Sequence, residues 1–193
     1  MSATQTTSEQ DLIDRARKGS VDAFEQLVLR YQDRLYRFLL ARTDNRADAE
    51  DALQEAFVAA FRHLSSYRSR YRFSTWLFTI ALRQLGRLTK RHPGQEDLHD
   101  SIVCENPGPE QLGIQDQHKY SLWRSARDCL SDQQFTALWL FYVEEMQLVE
   151  IGSAMKRPVS WVKVNLMRSR RRLLQVLQNE NSEHSTNRGE VTL

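Results

Sequence analysis

The sequence predicts an all-α protein of two small helical domains joined by a flexible linker, the second domain containing a helix-turn-helix. Apolar residues recur at steps of three and four through most of the chain, and no convincing alternating pattern of a β-strand is present. Three of the four prolines fall within residues 92–114, a stretch without apolar periodicity. We therefore expect domains at 8–91 and 115–178, a linker at 92–114 and a disordered tail at 179–193.

Short polar residues mark the predicted starts of the helices. Ser8 with Asp11 resembles a capping box, and Ser131 with Gln134 repeats the pattern in the second domain. Gly19 suits the end of the first helix, and both Ser20 and Asn45 can cap the helices that follow them.

The predicted third helix, DAEDALQEAFVAAFRHL, has an apolar stripe and a separate acidic face. The stripe would be buried and consists of Ala49, Ala52, Leu53, Ala56, Phe57, Ala60, Phe61 and Leu64. The acidic face consists of Asp48, Asp51, Gln54 and Glu55. A face of this kind is usually only solvated, and a protein-binding surface is the alternative.

An aromatic and basic segment, SSYRSRYRF, leads into the next helix, STWLFTIALRQLGRLTKR. Rings that alternate with guanidinium groups can stack on the bases and neutralise the phosphates of single-stranded nucleic acid. The candidate residues are Tyr67, Arg68, Arg70, Tyr71, Arg72, Phe73, Trp76, Arg83, Arg87 and Lys90. The helix would bury Leu77, Ile80, Ala81, Leu85 and Leu88. The aromatic residues could equally belong to the core, and the basic ones could complement the helix dipole.

The segment from Gln147 to Leu177 fits a helix-turn-helix. Gly152 would allow a close approach of the second helix, and the turn would be Lys156-Arg157-Pro158. The second helix would bury Val162, Leu166 and Leu173. Its outward residues suit a major groove and are Ser160, Trp161, Lys163, Val164, Met167, Arg168 and Arg171. An ordinary helical hairpin with solvated arginines is the alternative.

Composition argues against several classes of function. The net charge is +2, so any affinity for nucleic acid must come from segregated charge. Cys104 and Cys129 lack a zinc-type spacing, which favours a reduced cytoplasmic protein. No membrane-spanning run, phosphate-cradling glycine loop or nucleophile–base arrangement is apparent. We expect no enzymatic activity, no cofactor or metal, and no membrane insertion.

As a whole, the chain resembles bacterial RNA polymerase sigma factors of the sigma-70 family, in the extracytoplasmic-function (ECF) group. DLIDRARKGSVDAFEQLVLRYQDRLYRFL resembles the start of that family's first domain, DAEDALQEAF its polymerase-binding helix and FSTWLFTIA its promoter-melting segment. LSDQQFTALWLFYVEEMQLVEIGSAMKRPVSWVKVNLMRSRRRL is similar to its promoter-binding C-terminal domain. The resemblance covers about 8–91 and 120–177.

The resemblance implies a role for each candidate surface. The acidic face would dock on the clamp helices of the β′ subunit of core RNA polymerase. The β flap is a further part of the polymerase that such a factor contacts. The segment from Tyr67 to Trp76 would capture unpaired bases of the downstream (−10) promoter element, and the second helix of the helix-turn-helix, including Asn165, would bind the upstream (−35) element. An anti-sigma factor is a further implied partner.

Some residues depart from the family pattern. Arg83 and Arg87 stand where relatives usually have Asn and Asp, a change that should strengthen contacts with phosphates. In the turn and the helix after it, relatives usually have a Gly, a Ser and a small residue, whereas this chain has Lys156, Pro158 and Trp161. The base preference of the second domain is therefore open.

Two other hypotheses compete with the sigma factor. A stand-alone helix-turn-helix regulator would bind duplex DNA tightly without polymerase, but it leaves the acidic face and the aromatic loop unexplained. An enzyme would show a turnover that survives the changes Arg83→Ala and Glu55→Ala.

Overall fold

The computed structural model describes residues 8–43, 45–91 and 114–186, and every regular element within these ranges is helical. The helices form two compact units. The first contains α1 (Glu9–Arg17), α2 (Val21–Leu40), α3 (Arg46–His63) and α4 (Phe73–Arg91). The second contains α5 (Ile114–Cys129), α6 (Asp132–Tyr142), α7 (Leu148–Met155) and α8 (Val159–Thr186). The all-α prediction is confirmed, and the predicted linker lies almost entirely outside the described residues.

Helix starts are capped by the predicted residues. The side-chain oxygens of Ser8, Ser20 and Asn45 accept backbone N–H bonds of 3.1, 3.3 and 2.7 Å at the starts of α1, α2 and α3. Gly19 has a φ of +96°, the left-handed conformation that a glycine adopts easily between α1 and α2. Each such cap contributes about 1 kcal/mol to helix stability.

The alanines of α3 let α2 and α4 lie close to it in the first unit. Ala49, Ala52, Ala56 and Ala60 are all fully buried, as the stripe predicted. The prediction is wrong for Phe61, which is 45% exposed. Because each residue turns the helix by about 100°, Phe61 lies beside the stripe, where its ring packs edge-on against Phe24 at 5.0 Å.

In the second unit, α8 buries Val162, Leu166 and Leu173 as predicted. The helix then continues to Thr186, so residues 179–186 are helical and the prediction of disorder is wrong for them. No glycine or proline lies between Pro158 and Gly189, and nothing local therefore ends the helix earlier. Residues 187–193 lie outside the described part of the chain.

The turn between α7 and α8 is held in an unusual backbone conformation. Lys156 is left-handed, with φ 54° and ψ 46°, a geometry that costs a non-glycine residue about 1 kcal/mol or more. The Arg157 N–H donates to the carbonyl oxygen of Gly152 at 2.8 Å. A Cβ atom at Gly152 would lie 2.8 Å from the carbonyl oxygen of Arg157. The glycine thus admits the backbone of the turn, rather than the second helix that the sequence suggested.

The close approach at Gly152 can be tested by replacing Gly152 with alanine. Gly152→Ala should destabilise the second unit by about 1–3 kcal/mol, because a backbone carbonyl cannot move aside as a flexible side chain would. Urea denaturation followed by tryptophan fluorescence measures this, since Trp123, Trp139 and Trp161 all lie in the second unit.

The matched control is Gly86→Ala in α4, where an added Cβ meets nothing within 4 Å. That change should stabilise the first unit by roughly 0.5–1 kcal/mol, as measured by circular dichroism. Unchanged stability of Gly152→Ala would contradict the close contact at the turn.

Candidate nucleic-acid and protein interfaces

Four rings of the first unit form an aromatic cluster: Tyr31, Tyr67, Phe73 and Trp76. Phe73 lies at its centre and is only 1% exposed. Its ring centroid lies 5.5 Å from Tyr31, 5.5 Å from Tyr67 and 5.4 Å from Trp76. Since Tyr31 belongs to α2 and Trp76 to α4, the cluster ties the loop between α3 and α4 to both helices.

Hydrogen bonds fix the loop further. The Tyr67 hydroxyl donates to the carbonyl oxygen of Tyr71 at 3.0 Å, across the loop. Arg68 Nη1 donates to the carbonyl oxygen of Ser65 at 3.1 Å. The loop is therefore held from within as well as by the cluster.

A carboxylate from α1 forms a hydrogen bond with one ring of the cluster. The Tyr31 hydroxyl donates to Glu9 Oε2 at 2.6 Å, and Arg30 Nη1 lies 3.7 Å from the same oxygen. Burial, and then the bond to Glu9, raises the pKa of Tyr31, while burial and the charge of Glu9 raise the pKa of Tyr67. Both phenols therefore remain neutral donors at physiological pH. No local sequence pattern predicts this contact, because its two residues are 22 positions apart.

Two rings that were candidates for stacking on bases are buried instead. Tyr67 is only 5% exposed and Phe73 only 1% exposed. Phe73 is buried because it extends the core stripe of α4 by one turn from Leu77. Tyr71 and Trp76 are half-buried, so each of them retains some exposure to solvent. The Arg70 guanidinium lies 5.4 Å from the centre of the Tyr71 ring, so charge and aromatic surface are paired there.

Trp76, Arg83 and Arg87 form a basic stripe on α4. At 100° per residue, the three side chains lie within about 20° of one line, and it extends about 16 Å along the helix. Arg83 and Arg87 are exposed, and Arg87 Nη1 donates to the buried Gln84 at 3.2 Å. Lys90 belongs to the end of α4, but its side chain lies outside the described part of the structure. The exposed Arg68, Arg70 and Arg72 of the loop precede this stripe.

The acidic face lies on α3 as predicted, and its four residues differ in accessibility. Asp51 and Gln54 are exposed, whereas Asp48 and Glu55 are half-buried. Asp48 Oδ2 accepts a bond of 2.8 Å from Asn45 Nδ2 and so takes part in capping the helix. Asp51 and Gln54 are consequently the two residues best placed to contact another molecule.

The outward face of α8 is basic. Two of its residues, Trp161 and Asn165, make contacts within the second unit. Ser160, Lys163, Val164, Met167, Arg168 and Arg171 are exposed. Trp161 is half-buried, and the Arg157 guanidinium lies 5.2 Å from the centre of its ring. Asn165 Nδ2 donates to the carbonyl oxygen of Trp161 at 3.0 Å, so its amide is engaged by its own helix.

Arg157 is a residue whose role the sequence did not reveal. Besides stacking on Trp161, its Nη2 donates to Gln133 Oε1 of α6 at 3.1 Å. The turn is thereby joined to both α6 and the start of α8. A residue in a turn gives no sequence pattern for a contact of this range.

The described residues contain neither a candidate metal site nor a candidate membrane-spanning helix. Among residues 8–43, 45–91 and 114–186, no group of three or more His, Cys, Asp or Glu residues could hold a metal ion. No helix in these ranges is both long enough and apolar enough to span a membrane.

Comparison with known proteins identifies the family. A family model described as Sigma-70 region 2 matches residues 27–92. The chain is 31% identical over 178 residues to the ECF RNA polymerase sigma factor SigW of Bacillus subtilis, covering 86% of this chain and 95% of that relative. The chain belongs to the ECF sigma factors of the sigma-70 family. This sigma factor directs the initiation of transcription by RNA polymerase, so the family and the function predicted from the sequence are confirmed.

Further similarities agree with this assignment. The sigma factor is 29% identical over 180 residues to the ECF RNA polymerase sigma-E factor of Escherichia coli, covering 86% of this chain and 93% of the relative. Its fold matches that of CnrH, solved with the cytosolic domain of CnrY, with a TM-score of 0.66, 21% identity and coverages of 89% and 97%. It also matches the sigma factor RpoE of Bartonella quintana, solved with the anti-sigma factor NepR, with a TM-score of 0.62, 22% identity and coverages of 82% and 98%.

The internal bond of the loop can be tested with trypsin, which cleaves after Arg68, Arg70 and Arg72. Tyr67→Phe removes the hydroxyl bond to Tyr71 but keeps the ring in the cluster. A hydrogen bond of this kind is worth about 1 kcal/mol, so cleavage in the loop should become roughly fivefold faster. Mass spectrometry of the fragments gives the rate at each arginine.

The control is Tyr142→Phe, which removes a hydroxyl from an exposed tyrosine of the second unit. It should leave cleavage of the loop unchanged. Equal rates for Tyr67→Phe and the unmodified protein would contradict a loop held by this bond.

Proposed function

We propose that the first unit of this sigma factor binds core RNA polymerase through the acidic face and captures an unpaired strand of the downstream promoter element on the loop and basic stripe. The second unit binds the upstream promoter element through α8. One observation carries the proposal for the first unit. Exposed Asp51 and Gln54 lie on α3, whereas half-buried Trp76 is aligned with Arg83 and Arg87 on α4. Two surfaces of opposite chemistry on one small unit suit two different partners.

Strand opening follows from the chemistry of the loop and the basic stripe. Unstacking costs a few kcal/mol per flipped base, and stacking of a base on an aromatic ring returns about 1–3 kcal/mol. Trp76 and Tyr71 are the rings with accessible surface, while Tyr67 and Phe73 support them from the core. The exposed arginines neutralise the phosphates of the captured strand. No nucleotide hydrolysis is needed, so we assign this chain no enzymatic role and no cofactor.

The polymerase contacts follow from charge and from the family. The acidic face would dock on the clamp helices of the β′ subunit, and the second unit would contact the β flap. RpoE of Bartonella quintana is solved with an anti-sigma factor, and we extend a partner of that kind to this chain. A factor that works with RNA polymerase acts in the cytoplasm.

The role of the acidic face can be tested by reversing its charge. Asp51→Arg combined with Gln54→Arg should weaken binding to purified core polymerase by more than about tenfold, because like charges would then meet across the interface. Both side chains are exposed, so the fold should survive, as circular dichroism can verify. Equilibrium binding of a fluorescently labelled sigma factor gives the Kd.

The matched control is Asp22→Arg combined with Glu25→Gln, which adds the same charge at exposed positions of α2. It should bind core polymerase with nearly unchanged affinity. If the acidic-face variant binds as tightly as the control, the acidic face is not the docking surface.

A further inference from the structure

The DNA-facing side of α8 contains two exposed apolar side chains among basic ones. Val164 is 39% and Met167 is 62% exposed. Lys163, Arg168 and Arg171 are exposed around them. A single exposed apolar residue needs no explanation, but here a pair lies in the middle of a positively charged surface.

The helix geometry places the pair where bases would be read. Residues three apart are neighbours on a helix surface, so the side chains of Val164 and Met167 lie side by side. They lie on the side of α8 opposite the buried Val162 and Leu166 and in the N-terminal half of the helix. In a helix-turn-helix, this part of the second helix contacts base edges in the major groove.

The chemistry of the major groove leaves one apolar partner for this pair. The base edges there present hydrogen-bond donors and acceptors, and the C5 methyl group of thymine is their only apolar substituent. Neither valine nor methionine can hydrogen-bond effectively to the polar groups. We propose that Val164 and Met167 form a subsite for the C5 methyl groups of one or two adjacent thymines in the upstream promoter element. This inference rests on the proposed binding of that element by α8.

The surroundings of the pair favour a fixed methyl contact. A β-branched valine keeps essentially one side-chain rotamer in a helix, whereas methionine is flexible and can adapt to a second methyl group. Arg157 connects Trp161 of α8 with Gln133 of α6, so the start of the helix is held in place. Asn165 is engaged by the Trp161 carbonyl oxygen, which leaves the apolar pair prominent on this face.

The charge around the pair favours DNA over a protein as the occupant. A protein that docked on Val164 and Met167 would have to accommodate Lys163, Arg168 and Arg171 at the same interface, and charged residues are depleted at the centres of such interfaces. In DNA, the phosphates on both sides of the major groove can pair directly with these lysine and arginine side chains.

The test uses the complete polymerase holoenzyme containing this sigma factor. Promoters with a randomised upstream element are first selected by transcription in vitro. Each thymine of the selected element is then replaced singly by deoxyuridine, which lacks only the C5 methyl group, and holoenzyme binding is measured. We expect a loss of about three- to fourfold per methyl at one or two adjacent positions, the effect of removing one buried methyl group.

Variants connect this loss to the two residues. Holoenzyme that contains the double variant Val164→Ser and Met167→Gln should bind promoters with deoxyuridine at those positions as tightly as promoters with thymine. The control Leu174→Gln changes another exposed apolar residue, 56% exposed on the same helix, and should keep the full loss.

Each remaining outcome contradicts the subsite in a distinguishable way. If an upstream element is selected but deoxyuridine has no effect, the methyl subsite is wrong while the proposed function stands. If the double variant loses affinity for core polymerase instead of base discrimination, the apolar pair is a protein contact. If selection enriches no upstream sequence, then α8 reads no bases, and both this inference and the proposed role of the second unit fail.

Discussion

The packing of Phe73 against three other rings is the interaction on which the first unit depends most. It joins α2, the loop and the start of α4 at one point, and removing a buried ring of this size costs about 3–5 kcal/mol. A surface that captures unpaired bases must be ordered before DNA arrives, since ordering it during binding would reduce the affinity. The burial of Phe73 and Tyr67 thus supports the partly exposed Tyr71 and Trp76.

The second constraint is the separation of charge. The whole chain carries a net charge of only +2, yet α3 presents exposed Asp51 while the loop and α4 present exposed arginines. The small alanines of α3 make this arrangement possible, because they allow close helix packing and leave the other sides of the helix for polar residues. Two surfaces of opposite charge thus fit on a unit whose described part contains four α-helices.

Local patterns were enough to predict much of this structure from the sequence. The caps at Ser8, Ser20 and Asn45 and the alanine stripe of α3 each depend on residues a few positions apart. Contacts between distant residues could not be predicted, such as the bond from Tyr31 to Glu9 and the stacking and hydrogen bond of Arg157. The burial of Phe73 lies between these cases. Its spacing of four from Leu77 predicts a core residue, whereas its place in the aromatic and basic segment predicts a residue that contacts DNA.

Permanganate reactivity of unpaired promoter thymines in complexes with holoenzyme measures whether Trp76 acts as a stacking surface for bases. If Trp76 provides the stacking surface supported by Phe73, Trp76→Ala should bind core polymerase normally but open the promoter about tenfold less, the equivalent of one lost stacked base. Trp76→Phe, which keeps an aromatic ring in the cluster, should retain much of the opening. Normal opening by a folded Trp76→Ala protein would contradict this role and show that Trp76 is a packing residue only.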